Sequence, residues 1–213
     1  VLKSGMIAQG PKVAEFEEKF AAWIGTKYAI ATNSGTSALH VALLAAGIGK
    51  GDEVITTPFT FIATGNSIIY TGATPVFADI DLKTYTIDPD SIEALITDKT
   101  KAILPVQLYG QSADMDRINE IADKHGLKVI EDAAQAPGAT FRGKFAGTLG
   151  DIGVYSLNYH KHIHSGEGGI VVTDDDLLAE KVRLIRNHAE VVVGAKGFTD
   201  LVNMIGFNLR MTE

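Results

Sequence analysis

A lysine in a glycine-rich loop and an aspartate at the end of an apolar run are the residues best suited to chemistry. Lys161 precedes Gly166-Glu-Gly-Gly169, and Asp132 follows the strand-like run 128–131. A pyridoxal phosphate site requires a lysine that forms a Schiff base with the cofactor and an acid that holds the pyridine nitrogen protonated. The alternative is a solvated lysine and an aspartate that caps a helix. The pair therefore indicates this cofactor only if neighbouring motifs also fit it.

Two further motifs could bind such a cofactor. Gly35-Thr36-Ser37 stands between a strand-like run and an apolar helix, and the N–H groups at the start of a helix bind phosphate. Serine and threonine are also common helix caps without any ligand. Phe61 follows a strand-like run at the expected carboxyl edge of the sheet, where its ring could stack on a heteroaromatic ring. An isolated phenylalanine is more often a core residue.

Apolar strand-like runs alternate along the chain with amphipathic helical stretches. This order predicts an α/β fold with a mainly parallel sheet flanked by helices. The spacing of apolar residues predicts helices over 13–24, 38–46, 91–96, 112–125 and 176–187. Short apolar runs predict strands over 28–32, 53–56, 74–77, 102–106, 128–131, 153–156 and 169–173.

Length and composition exclude several classes of function. The chain has 213 residues, of which 46% are hydrophobic, and this is enough for a substantial core. Its apolar runs are too short to span a membrane and no amino-terminal signal is visible, so we expect a cytoplasmic protein without membrane contact. The net charge of −7 argues against a nucleic-acid partner. The absence of cysteine excludes disulfides and thiolate chemistry.

Short motifs cover nearly the whole chain, and their order and spacing are specific when they are taken together. They are Asn33-Ser-Gly-Thr-Ser-Ala-Leu-His40, Gly51-Asp-Glu-Val54, Pro58 to Thr64, Gly72-Ala-Thr-Pro-Val76, Glu131-Asp-Ala-Ala-Gln135, Gly150-Asp151, Lys161 with Gly166-Glu-Gly-Gly169, Arg186-Asn-His188 and Asn208-Leu-Arg-Met-Thr-Glu213. In these motifs the chain resembles the DegT/StrS family of nucleotide-sugar aminotransferases. The resemblance implies a fold-type I large domain, built on a mixed, seven-stranded sheet, and a homodimer. Members of that family continue into a small carboxyl-terminal domain, so residues 1–213 are expected to be a truncated cofactor-binding large domain.

The resemblance also implies a role for each matching position. Lys161 would form the Schiff base with pyridoxal 5'-phosphate and act as acid and base, while Asp132 would keep the pyridine nitrogen protonated. Gln135 would lie near the ring hydroxyl, and Phe61 would cover one face of the ring. The residues expected to bind the phosphate are Gly35, Thr36 and Ser156, together with Asn208 reaching across from the other subunit of the dimer.

The implied reaction moves an amino group from an amino acid, most often glutamate in that family, to a keto-sugar nucleotide. Some members carry histidine at the lysine position and act as sugar 3-dehydratases. Counting back from Gly166 places Lys161 at that position, which favours transamination. The neighbouring histidines, which are His160, His162 and His164, fall at other positions. The alternate spacing of these histidines, with no cysteine partner, does not indicate a zinc site, so we assign no metal site.

Two alternatives come from other classes of protein. A non-catalytic homologue that only binds the cofactor would be expected to have lost Lys161 or Asp132, and both are present. A nicotinamide-dependent oxidoreductase would need a glycine fingerprint after its first strand. The segment at that point is Asn33-Ser-Gly-Thr-Ser37, which lacks the fingerprint.

Overall fold

A seven-stranded mixed sheet organises the residues that the computed structural model describes, which are 1–189 and 204–213. Its strands are β1 (Tyr28–Thr32), β2 (Glu53–Thr56), β3 (Thr74–Phe77), β4 (Thr100–Ile103), β5 (Lys128–Asp132), β8 (Ile152–Ser156) and β9 (Gly169–Thr173), in the order β1-β9-β8-β5-β4-β2-β3. The pairs from β8 through β5, β4 and β2 to β3 are parallel, whereas β9 is antiparallel to both β8 and β1. A separate hairpin joins β6 (Thr140–Phe141) to β7 (Lys144–Phe145). The predicted α/β architecture with a mixed, mainly parallel sheet is confirmed.

Helices cover both faces of this sheet. They are α1 (Pro11–Ile24), α2 (Gly35–Ala45), α3 (Ala63–Tyr70), α4 (Pro89–Glu93), α5 (Met115–His125) and α6 (Asp176–Arg186), with single 3-10 turns at Leu2–Ser4 and Leu108–Gly110. Helix α2 packs against both α3 and α6, while α4 packs against α5. None of the helices in the described part of the chain has the length and apolar character that a membrane span requires.

Two neighbouring interior strands of the sheet, β8 and β9, are buried on both faces. All five residues of β8 and all five of β9 are buried, as expected for a sheet that helices cover on each side. Side chains alternate between the two faces of a strand. Accordingly, Ala29 packs into the core cluster beside α1, and its neighbour Ile30 packs into the cluster around α2.

Local sequence signals explain where the structure departs from the predicted elements. The helix predicted over 91–96 instead runs from Pro89 to Glu93, because Asp88 accepts a hydrogen bond from the N–H of Asp90 (3.0 Å) and proline is suited to the first helical position. Helix α3 was not predicted, since its sequence Ala-Thr-Gly-Asn-Ser is poor in strong helix formers. It is stabilised instead by burial of Ile68 and by hydrogen bonds from the buried hydroxyls of Thr64 and Ser67.

Candidate active site

A cavity of about 530 Å³ opens where the carboxyl ends of the parallel strands meet the amino terminus of α2. Ligands of open α/β folds bind at this edge of the sheet. Seven of the eight predicted site residues line the cavity: Gly35, Thr36, Phe61, Asp132, Gln135, Ser156 and Lys161. Their positions in the sequence span more than a hundred residues, so the tertiary fold brings these residues to one site.

Asp132 presents a buried carboxylate at the end of β5. Its side chain is 5% exposed. One carboxylate oxygen accepts a hydrogen bond from the Thr64 hydroxyl at 2.7 Å, and the other accepts one from the N–H of Ala134 at 3.2 Å. Burial raises the pKa of Asp132, because the charged form loses hydration, while these two donors and the charge of Lys161 oppose the rise. A cation or a protonated ring nitrogen entering the cavity would favour the ionised form.

The amino terminus of α2 forms the opposite end of the cavity. Ser34 caps the helix by accepting a hydrogen bond from the N–H of Ser37 at 3.1 Å. The first N–H groups of a helix have no partner within it, and the helix dipole makes this end attractive to anions. Gly35 lies so close to β8 that a Cβ placed on it would stand 2.8 Å from the Cβ of Ser156. The helix end and Ser156 are therefore neighbours in the cavity wall.

Lys161 lies in the loop that connects the antiparallel strands β8 and β9. Its N–H donates to the carbonyl of Asn158 at 2.9 Å, which turns the chain tightly. The side-chain amide of Asn158 then donates to the Glu167 carboxylate at 2.6 Å across the base of the loop. Asn158, Lys161 and Glu167 all line the cavity. The loop is therefore closed by its own residues, and this contact favours a structural contribution from Glu167.

Gln135 and Phe61 occupy the side of the cavity formed by the loops after β5 and β2. The side-chain oxygen of Gln135 accepts a hydrogen bond from the N–H of Tyr109 at 3.0 Å. Tyr109 has a φ of 55°, which is unusual for a bulky residue and is associated with functional sites. Phe61 is 67% exposed and lines the cavity, so it is not the core residue that an isolated phenylalanine would be.

Asn208 does not line the cavity of its own chain. It is exposed and forms an isolated antiparallel bridge with Asn187. The predicted contact from the other subunit of a dimer stays a prediction. His160 and His162 line the cavity, and among the described residues no group of three or more His, Cys, Asp or Glu side chains is arranged to hold a metal ion.

The sequence did not identify three polar residues that the structure adds to the site. Thr64 bonds to Asp132, Asn158 holds the lysine loop, and Tyr109 bonds to Gln135. Thr64 lies in a segment for which no helix was predicted, so its orientation toward β5 could not be inferred. Asn158 was visible only as one polar residue near Lys161.

The fold agrees with the comparisons with known proteins. The DegT/DnrJ/EryC1/StrS aminotransferase family matches residues 1–213, and the chain belongs to this family. It is 52% identical over 204 residues to the GDP-perosamine synthase of Caulobacter vibrioides, covering 96% of this chain and 54% of that protein. The chain thus spans about half the length of the curated relatives it matches.

Solved structures give the same result. An aminotransferase from Psychrobacter cryohalolentis superposes with a TM-score of 0.92 at 46% identity, covering all of this chain and 56% of that one. NtdA from Bacillus subtilis, solved with bound cofactor PMP, superposes with a TM-score of 0.90 at 41% identity, covering all of this chain and 47% of that one. The similarity therefore extends over the whole sheet and the cavity.

Proposed function

We propose that this chain binds pyridoxal 5'-phosphate and transfers an amino group from an amino acid to a keto-sugar nucleotide. The observation that carries the proposal is that one cavity is lined by Lys161, by the buried Asp132 and by the amino terminus of α2. These three features match the aldehyde, the ring nitrogen and the phosphate of that cofactor.

The chemistry of the cavity fits this cofactor at each of its parts. The phosphate would bind the N–H groups and hydroxyls of Gly35, Thr36 and Ser156. The ring would stack on Phe61, and its hydroxyl would accept a hydrogen bond from the amide of Gln135. When bound, pyridoxal phosphate supplies an electrophilic carbon that reacts with amines and a ring that withdraws electrons from the reacting carbon.

Asp132 and Lys161 divide the proton chemistry between them. Asp132 would accept a hydrogen bond from the protonated ring nitrogen and hold its proton in place. Burial of the carboxylate strengthens this ionic hydrogen bond, because little water competes for it. The Lys161 amine, held by its short loop, would remove the proton from the α-carbon of the amino acid and return it one step later.

The relatives support a sugar nucleotide as the amino acceptor. GDP-perosamine synthase and a UDP-2-acetamido-2-deoxy-3-oxo-D-glucuronate aminotransferase of Pseudomonas aeruginosa are 52% and 47% identical to this chain. We propose glutamate as the donor. A soluble nucleotide sugar is a cytoplasmic metabolite, and we propose that location for the enzyme.

The proposal is tested by the visible absorption of the purified chain with pyridoxal phosphate. We expect a band that disappears in Lys161→Ala and is bleached when glutamate is added to the unmutated chain. Lys101→Ala is the matched control, because Lys101 is an exposed lysine on β4 that does not line the cavity. A band that does not depend on Lys161 would overturn the assignment, and a Lys161-dependent band that glutamate does not bleach would overturn glutamate as the amino donor.

We also propose that two copies of the chain complete each other's sites through Asn208. Support comes from its exposure away from its own cavity and from the exposed aromatic side chains of Phe59, Phe61 and Tyr109 near the cavity mouth. Exposed apolar patches of this kind are typical of interaction surfaces. Symmetric dimers are the commonest assemblies.

Mixing two inactive variants tests the shared site. In a mixed dimer of Lys161→Ala and Asn208→Ala subunits, one site would have both native residues. We expect about a quarter of the native sites after random exchange of equal amounts. Recovery of no activity, with exchange verified by light scattering and mass labels, would contradict the shared site.

A further inference from the structure

Glu131 is a second acidic residue at the end of β5, next to Asp132, and it faces away from the cavity. It is completely buried, and it does not line the cavity. Successive side chains of a strand point to opposite faces of the sheet. Glu131 therefore cannot contact a ligand of the cavity, and its place in the core needs a different explanation.

Four N–H donors surround the Glu131 carboxylate. Oε1 accepts from the backbone N–H groups of Leu149 (2.5 Å) and Gly150 (2.8 Å). Oε2 accepts from the backbone N–H of Gly147 (2.7 Å) and from the side-chain amide of Gln107 (2.6 Å). An ionised carboxylate accepts hydrogen bonds and donates none, so this arrangement matches the anion. Burial raises the pKa of Glu131, and the four donors oppose that rise.

Gln107 connects this buried carboxylate to Asp132. Its side-chain amide donates to Glu131, and its side-chain oxygen accepts a hydrogen bond from the N–H of Ala113 at 2.7 Å. Its backbone N–H donates to the backbone carbonyl of Asp132 at 2.9 Å. Both ends of the Gln107 side chain are therefore fixed, and the backbone of Asp132 is bonded to a residue that Glu131 holds.

The same connection reaches Gln135. Two residues after Gln107, the N–H of Tyr109 donates to the side-chain oxygen of Gln135 at 3.0 Å. Tyr109 adopts a strained backbone conformation that the surrounding structure must maintain. The segment from Gln107 to Tyr109 is thus hydrogen-bonded both to Glu131 on one face of the sheet and to the cavity residues Asp132 and Gln135.

We propose that Glu131 is a positioning residue that, through Gln107, orients Asp132 and Gln135 toward the cofactor ring. This inference rests on the proposed function, because it assigns the two oriented side chains to the ring nitrogen and the ring hydroxyl. Glu131 touches neither cofactor nor substrate. Its effect is to keep two polar groups at the spacing that the planar ring requires.

The test compares Glu131→Gln with a variant that loosens the same loop by another route. Tyr155→Phe removes the hydrogen bond from the Tyr155 hydroxyl to the carbonyl of Ala146 (2.6 Å), which is also buried and bonds the segment next to Gly147. The hydrogen bonds of the Gln107 side chain do not involve that hydroxyl. A purely structural effect would lower the stability of both variants without a specific effect on the cofactor.

For Glu131→Gln we expect the Kd for pyridoxal phosphate to rise about tenfold or more, as for loss of a hydrogen bond to a charged group. We also expect a changed visible circular dichroism of the bound cofactor, since this signal reports the orientation of the ring. Tyr155→Phe should keep the native Kd and dichroism despite its loss of stability. The proposal would be overturned if Glu131→Gln kept the Kd and dichroism of the unmutated chain. It would also be overturned if Glu131→Gln and Tyr155→Phe changed both quantities equally.

Gln107→Met provides a second variant if Glu131→Gln does not fold. It removes the amide that connects Glu131 to Asp132 but leaves Glu131 with its three backbone donors. The same increase in Kd and change in dichroism are expected, and native values would contradict the proposed connection. If the unmutated chain itself shows no Lys161-dependent band, the proposed function fails instead, so the two failures are distinguishable.

Discussion

The hydrogen bond between Thr64 and Asp132 provides a quantitative test of the site. Thr64 is completely buried on α3, and its hydroxyl donates to the Asp132 carboxylate at 2.7 Å. Thr64→Val keeps nearly the same side-chain volume and removes the hydroxyl, which also bonds to the hydroxyl of Thr60 at 2.9 Å. It leaves one oxygen of Asp132 with less stabilisation in a site where burial already raises the pKa of the carboxyl.

The magnitude follows from the charge of the acceptor. A hydrogen bond to a charged group contributes about 1.5–3 kcal/mol, and one between neutral groups about 0.5–1.5 kcal/mol. Thr56→Val is the matched control, because the buried Thr56 hydroxyl donates to the neutral carbonyl of Leu104 at 2.8 Å. We therefore expect Thr64→Val to lose more stability than Thr56→Val at a pH where Asp132 is ionised.

The sign of the pH dependence separates the two variants. The Thr64 bond favours the charged form of Asp132, so removing it raises the pKa of Asp132 further. The loss of stability is then largest above the folded-state pKa values of both proteins, and it becomes smaller as the pH falls and Asp132 binds a proton. The loss in Thr56→Val should not change with pH.

Urea denaturation of the cofactor-free protein over a range of pH provides the measurement. The titration of the Asp132 carboxyl carbon, assigned by carbon-13 NMR with Asp132→Asn, gives the pKa directly. Two results together would refute the electrostatic role of Thr64. The free energy of unfolding would differ between Thr64→Val and the unmutated chain by the same amount at every pH, and the Asp132 titration would be unchanged.

Three other changes test the surrounding structure. Asp132→Asn should abolish cofactor binding. Because the pKa of Asp132 is raised in the folded state, the native protein loses stability as the pH rises above the ordinary range of a carboxyl. Urea denaturation should show a smaller loss of this kind in Asp132→Asn. Gly35→Ala should lose about 1–3 kcal/mol of folding stability and should weaken phosphate binding, because its Cβ would crowd Ser156. Gly49→Ala is the control, since a Cβ at Gly49 meets open space. Thermal melts and cofactor titrations measure the two effects. Arg186→Met should cost about 3–5 kcal/mol in denaturant unfolding, because it leaves Glu17 without its buried partner; a loss close to zero would show that the pair contributes little.

Several elements of the fold were predictable because their local signals agree with their tertiary environment. The runs 28–32, 53–56, 74–77 and 169–173 form strands with the predicted bounds. They are short, apolar and rich in β-branched residues, and all but the edge strand β3 are largely buried in the sheet. Helix α1 begins two residues before its predicted start, at Pro11, which is suited to a first helical turn.

The sequence identified residues of the candidate site but not the contacts between them. Lys161, Asp132 and Gly35-Thr36 were identified because their types match a cofactor with an aldehyde, a basic ring nitrogen and a phosphate. Thr64 was not identified, because nothing in a threonine sixty-eight positions away indicates that it bonds to Asp132. Such long-range pairing depends on how α3 packs against the sheet.

The pair Glu131-Asp132 illustrates what sequence and structure each decide. The residues alone show that two acids end an apolar strand, and the alternation of side chains requires them to face opposite sides of the sheet. The structure places Asp132 in the cavity wall, as the family resemblance implied, and it adds that Glu131 is surrounded by N–H donors in the core. The reason is physical: the helices and loops that cover each face arrive from distant parts of the chain, and they set the solvation and hydrogen bonding of each carboxylate.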